Sequence, residues 1–467
     1  MSTQSPSDAP GALHRSVSTR AELRAYGKSL REKCPRESHA AWQPAQDRHD
    51  PLHHLKESGK GRLPELLPIR HGRMSRSPFS FFRGAALNMA ADLATTPATG
   101  LRVQACGDCH LCNFGGFATP ERRVVVDIND LDETLPAPWE WDVKRLTASF
   151  VVASRYNGHS EGEALDAALA CCRSYRERMA EFAEMRVLDV WYSSIDFEEH
   201  LETVTDKEAR KRGRKRLEKA RDHSALEHDF PELVAAIGSD YVIKDDPPLI
   251  YHARGHGRDE TDETVRLAFA AYRDSLPENR RLLLDRYRLE DIALKVVGVG
   301  SVGTVCGVML LMANEDDPLF LQVKQAQASV LEPYAGKSAY ANHGRRVVVG
   351  QQLMQSASDL FLGWTEGRLG RHFYVRQLKD MKIKPLVELF GPELMQQYAS
   401  LCGHILARAH ARSGEPAAIA GYLGKSDKFD QAVGGFAVAY ADQTERDHEV
   451  VMQAVRSGDL EVMLEEP

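Results

Sequence analysis

VVGVGSVGTV, residues 296–305, stands ahead of a second apolar run, LFLQVKQA, residues 319–326. Gly298, Gly300 and Gly303 spell GxGxxG, with Val305 two places beyond. Small residues at this spacing let a strand–turn–strand backbone close on phosphate oxygens. The spacing marks a dinucleotide-binding unit only where a helix follows the glycines. Here MLLMANEDDPLFLQVK, residues 309–324, reads as a hairpin, so that helix is lacking. What remains is a glycine turn between two strands, with Lys324 on the third strand, in reach of a phosphate under the turn.

The neighbouring chain extends this unit. RHFYVRQLKD, residues 371–380, has strand character, and a helix is predicted at about 343–358, so residues 289–382 are expected to form a small β-rich lobe. Residues 383–467 read as returning helices, because Leu394, Tyr398, Leu401, Ile405 and Ala409 share one face. Residues 65–288 read as a larger, mainly helical lobe, and residues 1–64, rich in Ser, Pro, His and charge, as a loosely packed leader. Within the larger lobe, Ser77 and Pro78 have the character of an N-cap and first helical position. Phe79, Phe82, Ala86, Met89 and Leu93 then follow at helical steps. LRVQAC and RRVVVDI read as strands flanking a loop, and Glu163–Trp191 as one long helical pattern. The expected fold class is α+β, in two lobes.

Two further segments carry chemistry. In CGDCHLCNFGGF, residues 106–117, Asp108, His110 and Asn113 cluster between β-like runs. A carboxylate there can orient a nucleophilic hydroxyl, and an amide oxygen can meet a hard cation. In VVVDINDLDE, residues 124–133, an apolar strand delivers Asp127, Asp130, Asp132 and Glu133 at its end. Magnesium favours one or two carboxylates with phosphate oxygens and water, which such a cluster suits. Asp, Asn and Gly also make ordinary turns, so each segment alone is a weak signal.

Composition narrows the field. The chain has 467 residues, 43% hydrophobic and 27% charged, the balance of a globular protein with several domains. Sixty basic and 67 acidic residues leave a net charge of −7, which disfavours a globally basic nucleic-acid binder. One local exception, DKEARKRGRKRLEKARD at 206–222, carries nine Lys or Arg; it reads as a solvated helix, with a nucleic-acid or anion contact as the sharper alternative. The uncharged stretch Val296–Asn314 has the length of a short membrane span, but its glycines point to a turn instead. With no apolar leader and eight cysteines in a long chain, the expected compartment is the cytoplasm, with no membrane partner.

Taken together, these residues resemble a known group. GDCHLCNFG is similar to the GDxHxxN catalytic loop of aminoglycoside- and choline-kinase-like phosphotransferases. VVVDINDLDE resembles their metal-binding strand end, and PWEWDVKRLTA the downstream segment whose acid braces the loop. SPFSFFRGAA, DLDETLPAPWEWDVKRL, GVGSVGT, LQVK and LARAHARSG together resemble a bacterial family known as domain of unknown function 2252, over about residues 65–445. Kinases place the glycine turn and lysine before the catalytic loop; here Asp108 to Asp127 come first, and Lys324 follows nearly 200 residues further on. The resemblance therefore implies a circularly permuted kinase-like fold, an order compatible with surface termini.

It also implies roles, with ATP and Mg2+ as cofactors and an unidentified hydroxyl-bearing acceptor, a small molecule before a protein. Asp108 would orient the acceptor hydroxyl, and Asn113 and Asp127, with Asp130, would hold magnesium. Gly298, Gly300, Ser301 and Gly303 would cover the phosphates, and Lys324 would contact them. His110 and Asp142 would support the loop, and FYVRQL would lead to an adenine-binding hinge. The sequence departs from the pattern at one place: RRVVVGQQLMQSASD has no acid before Asp359 to pair Lys324, and Glu332 precedes a proline. That gap admits a nucleotide-binding pseudokinase, and the same parts would also serve an AMP transferase. A separate reading takes Cys106, Cys109 and Cys112 as thiolate ligands of a metal.

Overall fold

The computed structural model describes residues 18–222, 230–237, 240–247, 249–252, 258–296, 300, 302–378 and 381–464. The fold is mixed α+β, with more helix than strand. The strands are β1 (Arg102–Ala105), β2 (Phe114–Ala118), β3 (Val124–Ile128), β4 (Leu135–Pro138), β5 (Val234–Ile237), β6 (Asp240–Ile243), β7 (Ile250–Tyr251), β8 (Arg288–Lys295), β9 (Cys306–Met312), β10 (Pro318–Ala326), β11 (Gly363–Glu366) and β12 (His372–Gln377).

Along β9, Val308, Leu310 and Met312 alternate with Met309 and Leu311, and both sets are buried. A strand apolar on both faces belongs in the middle of a covered sheet. It lies there: the sheet order is β11-β12-β10-β9-β8-β7, every adjacent pair antiparallel. One face packs Met309, Leu311, Leu319, Leu321 and Val375 against Tyr272 of the helix Arg258–Ser275 and Leu276 just past its end. The other carries Val308, Leu310, Phe320 and Leu378 against Leu233, Val234 and Ile243. β7 pairs with β8 and the helix Arg258–Ser275 lies on the sheet, so residues well before 289, where the strand patterns first show, pack with it. The helix expected at about 343–358 spans His343–Met354 and covers Ala326 and Tyr374.

The helices Trp139–Tyr156, Glu161–Phe182, Pro392–Ser413 and Lys428–Ser457 share one large core. Pro392–Ser413 lies so close to Glu161–Phe182 that a Cβ on Gly403 would sit 2.3 Å from the Cys171 carbonyl oxygen. Gly116 exchanges two 2.8 Å backbone hydrogen bonds with Ile383, tying β2 to the chain that leaves the sheet.

Several expectations change. Residues 18–64 are not a loose leader: helices Arg20–Ser29 and Pro51–Glu57 form there, and Cys34, Trp42 and Leu55 are buried. LRVQAC and RRVVVDI do form strands, and each finds its own partner: β1 pairs with β4 and β3 with β2. The Ser77 cap forms, its Oγ accepting from the Ser80 N–H, but the helix stops at Gly84 and resumes at Ala86. Glycine is a poor helix former, and the Phe82 carbonyl accepts from the Ala85 N–H and from Arg145, while that of Gly84 accepts from Arg70. The Glu163–Trp191 pattern is likewise two helices, Glu161–Phe182 and Val187–Tyr192. The basic run forms the helix Lys207–Asp222, with Arg214 and Arg221 paired to Glu202 and Glu198. Among the described residues, no helix is long and apolar enough to cross a membrane.

Candidate active site

The site starts at a turn only glycine can make. Gly107 has φ +80°, and a Cβ there would meet the Glu133 carbonyl oxygen at 2.5 Å. The turn is held from below: Asp142 accepts from the N–H groups of Cys106 (2.6 Å) and Gly107 (3.1 Å) and faces His410 Nε2 at 3.2 Å. Ser149 Oγ accepts from the Leu111 N–H. Asp108 then projects with Oδ1 gripped by Arg145 Nε (2.9 Å) and Nη2 (2.5 Å), while Oδ2 lies 3.9 Å from His110 Nε2. Burial raises the Asp108 pKa, with Arg145 opposing, which makes it a better proton acceptor. His110 is buried beneath the loop, and burial pushes its pKa well down, so its imidazole is neutral. Asn113 donates from Nδ2 to the Asp108 carbonyl oxygen at 2.8 Å. No described donor reaches its Oδ1.

The acids after β3 divide into two roles. Asp127 is fully buried, and four donors fill its lone pairs. Oδ1 accepts from the Ile128 N–H (2.8 Å) and Arg408 Nη2 (2.5 Å), and Oδ2 from the Ser356 N–H and Oγ (both 2.7 Å). A carboxylate so occupied braces the fold, and the magnesium role expected of Asp127 would require it to give up one of these donors. Asp130 and Asp132 lie beyond the strand and turn instead toward Lys324. Asp132 Oδ2 is 2.6 Å from Lys324 Nζ, its Oδ1 accepts from Tyr374 Oη, and Asp130 Oδ2 lies 3.9 Å from the same ammonium. Burial opposes the charge on Asp132, yet Lys324 and Tyr374 prevail and hold its carboxyl at about 2. Asp130, with its side chain 40% exposed, is the acid with oxygen to spare; burial and the Asp132 charge raise its pKa.

Lys324 is 3% exposed and finds its acid in Asp132, not on a helix. The helix His343–Met354 instead directs Arg346 to the carbonyl oxygens of Asp132, Thr134 and Gln327, and Glu332 lies near His343. Of the glycine turn, Gly298 and Ser301 lie outside the described residues. A Cβ on Gly300 would be 4.0 Å from Asp108 Oδ2, so the turn and the first loop meet. Arg62 donates to the carbonyls of Gly300 (2.9 Å) and Val302 (2.6 Å), and the Leu63 N–H to that of Gly303 (2.6 Å). Gly303 has φ +87°, which favours glycine. Arg62, Arg145 and Tyr374 were missed as site residues. Arg145 sits inside the quoted PWEWDVKRLTA, but nothing local to Arg62 announces its target.

The thiols read differently from the sequence pattern. Cys106 and Cys109 cluster with Asp142 within 4.8 Å, and Cys112 is outside the group. Burial pushes the Cys106 and Cys109 thiols up and holds Cys112 at about 11, so all three are protonated near neutrality. The Asp142 oxygens already serve two N–H groups and His410, which suits loop support better than metal ligation.

Glu133 gives a pH signature. Burial raises its carboxyl to about 7, although Arg346 and the Val330 N–H oppose this. A folded pKa above the unfolded one stabilises fully below about 4.5 and loses that contribution as pH rises through about 7. Glu133→Gln is therefore expected to gain about 1–3 kcal/mol over wild type at pH 8 and nothing at pH 4. Urea unfolding at both pH values checks it, and an equal change at the two would contradict the burial.

The described residues thus bring together a held carboxylate, an amide oxygen that no described donor reaches, and paired acids beside a buried lysine. The chain belongs to the family described as "Uncharacterized protein conserved in bacteria (DUF2252)", whose model matches residues 62–454. No curated protein and no solved structure matches the chain.

Proposed function

We propose that the chain is an ATP- and magnesium-dependent phosphotransferase with a kinase-like arrangement of parts in permuted order. The observation that carries this reading is the approach of Gly300 to Asp108, whose carbonyl holds Asn113, together with that of Asp130 to Lys324, among residues the sequence spreads over more than 200 positions. Asp108 Oδ2 accepts the proton of an acceptor hydroxyl as that oxygen bonds to the γ-phosphorus, and the bridging oxygen leaves with ADP. Arg145 fixes the carboxylate, so the other oxygen faces the turn. Lys324, oriented by Asp132 and Tyr374, offers its charge to phosphate oxygens, and the Arg62-anchored turn covers them. Asn113 Oδ1 and Asp130 are the oxygens that fit magnesium, which when bound neutralises phosphate charge. Catalysis is then mainly positioning and electrostatics.

The acceptor is a small hydroxylated molecule. The test is release of product from ATP in the presence of a bacterial small-molecule extract. Extract-dependent ADP supports phosphoryl transfer. Extract-dependent pyrophosphate would replace it with AMP transfer, and ATP left intact despite binding would leave a pseudokinase.

A further inference from the structure

A cavity of about 280 Å3 lies away from Asp108, Asn113 and Lys324, between the sheet and the β2–β3 turn. Leu319, Phe361 and Phe117 give it an apolar wall, and Arg376, Lys382 and Gln351 a polar one. Two polar atoms on its lining lack partners among the described residues: Gln351 Nε2, on a side chain 3% exposed, and Thr119 Oγ1, on one 8% exposed. Buried donors without acceptors are uncommon in native folds and point to a ligand group or bound water that fills the role. Lys382 has no ion-pair or hydrogen-bond partner among the described residues, and Asp359, the one acid of the lining, is used by the N–H groups of Phe361 (2.6 Å) and Gln377 (2.8 Å). Two basic side chains, Arg376 and Lys382, thus face one engaged carboxylate.

From this lining we infer a second ligand site that takes a small organic monocarboxylate, its carboxylate against Lys382, Gln351 and Thr119 and its apolar body against Leu319, Phe361 and Phe117. The volume is below the about 300–1,000 Å3 of sites for drug-sized ligands, so the occupant is compact. A single unshared lysine charge calls for a monoanion. Burial, with Arg376 and Lys324 nearby, pushes the Lys382 pKa well down, a strain that an incoming carboxylate relieves. Arg376 borders the cavity and donates to the Asn129 carbonyl oxygen at 3.1 Å, one residue before Asp130, so the site is adjacent to the proposed catalytic cleft without sharing its acids.

The test needs no nucleotide, so its failure and that of the phosphotransferase reading are separable. Benzoate, phenylacetate, hexanoate and 4-methylpentanoate are titrated against the full chain by calorimetry, with benzamide and inorganic phosphate alongside. At least one carboxylate is expected to bind with Kd near or below about 1 mM, and at least about tenfold more weakly to Lys382→Met and to Gln351→Leu. Benzamide is expected to bind at least about tenfold more weakly than benzoate. Two variants at separate positions guard against one that fails to fold. Absence of carboxylate binding to wild type, equal binding of benzamide, binding unchanged in both variants, or preference for phosphate would each overturn the assignment.

Discussion

Arg408→Met is expected to lower the unfolding free energy by about 3–5 kcal/mol, because it strands a fully buried Asp127 carboxylate without its cation. The Ile128 and Ser356 donors remain, so the loss is of charge pairing and not of every hydrogen bond. Asp127→Asn is expected to destabilise as well, since the buried Arg408 then loses its carboxylate and keeps only neutral acceptors, the Met354 carbonyl among them. Joint replacement by apolar residues of similar size is expected to recover part of the loss, as it commonly does for buried pairs. Urea unfolding of the two single variants and the double variant gives the coupling directly. A change under about 1 kcal/mol in Arg408→Met would return Asp127 to the list of cleft-facing acids.

Asp108→Asn is expected to cut transfer about 10²–10⁴-fold, the usual contribution of a positioned general base, while nucleotide binding stays near wild type. Asparagine keeps an oxygen for Arg145, which is 2% exposed and would be left as an unpaired buried charge by Ala. Loss of folding in Asp108→Ala would therefore say nothing about catalysis, whereas loss of turnover in a stable Asp108→Asn would. A variant that binds ATP and retains at least about half its turnover would remove Asp108 from the chemistry.

The local devices were readable in the sequence. Ser77 and Pro78 announce a helix start, the glycines lie between strands, and the unbroken apolar run CGVMLLM marks a strand. The choice among Asp127, Asp130 and Asp132 was not readable, because one acidic run offers all three and their directions depend on distant partners. Asp127 lies on β3 and faces Arg408, 281 residues away, while Asp130 and Asp132 lie past the strand end and face Lys324. The lysine's partner was sought on a helix, where kinases put it; here the acid strand end already lies beside β10, and Asp132 fills that place. The breaks at Gly84 and after Phe182 escaped the periodicity because the apolar spacing runs through them, and the capping by Arg145 and Arg70 comes from far along the chain or from another helix. The ordered start of the chain escaped for a related reason. Its polar composition hides the few residues, Cys34, Trp42 and Leu55, that bury against the other helices.

The most direct measurement is the thermal unfolding midpoint with and without ATP, each with and without magnesium, for wild type and Asp130→Asn. At about 100 times its dissociation constant a ligand stabilises by about 2.7 kcal/mol, an easily read rise in midpoint. A magnesium-dependent rise with ATP in wild type, largely lost in Asp130→Asn, is the expected result. No shift of the wild-type midpoint at millimolar ATP and magnesium would contradict the nucleotide site and the phosphotransferase built on it.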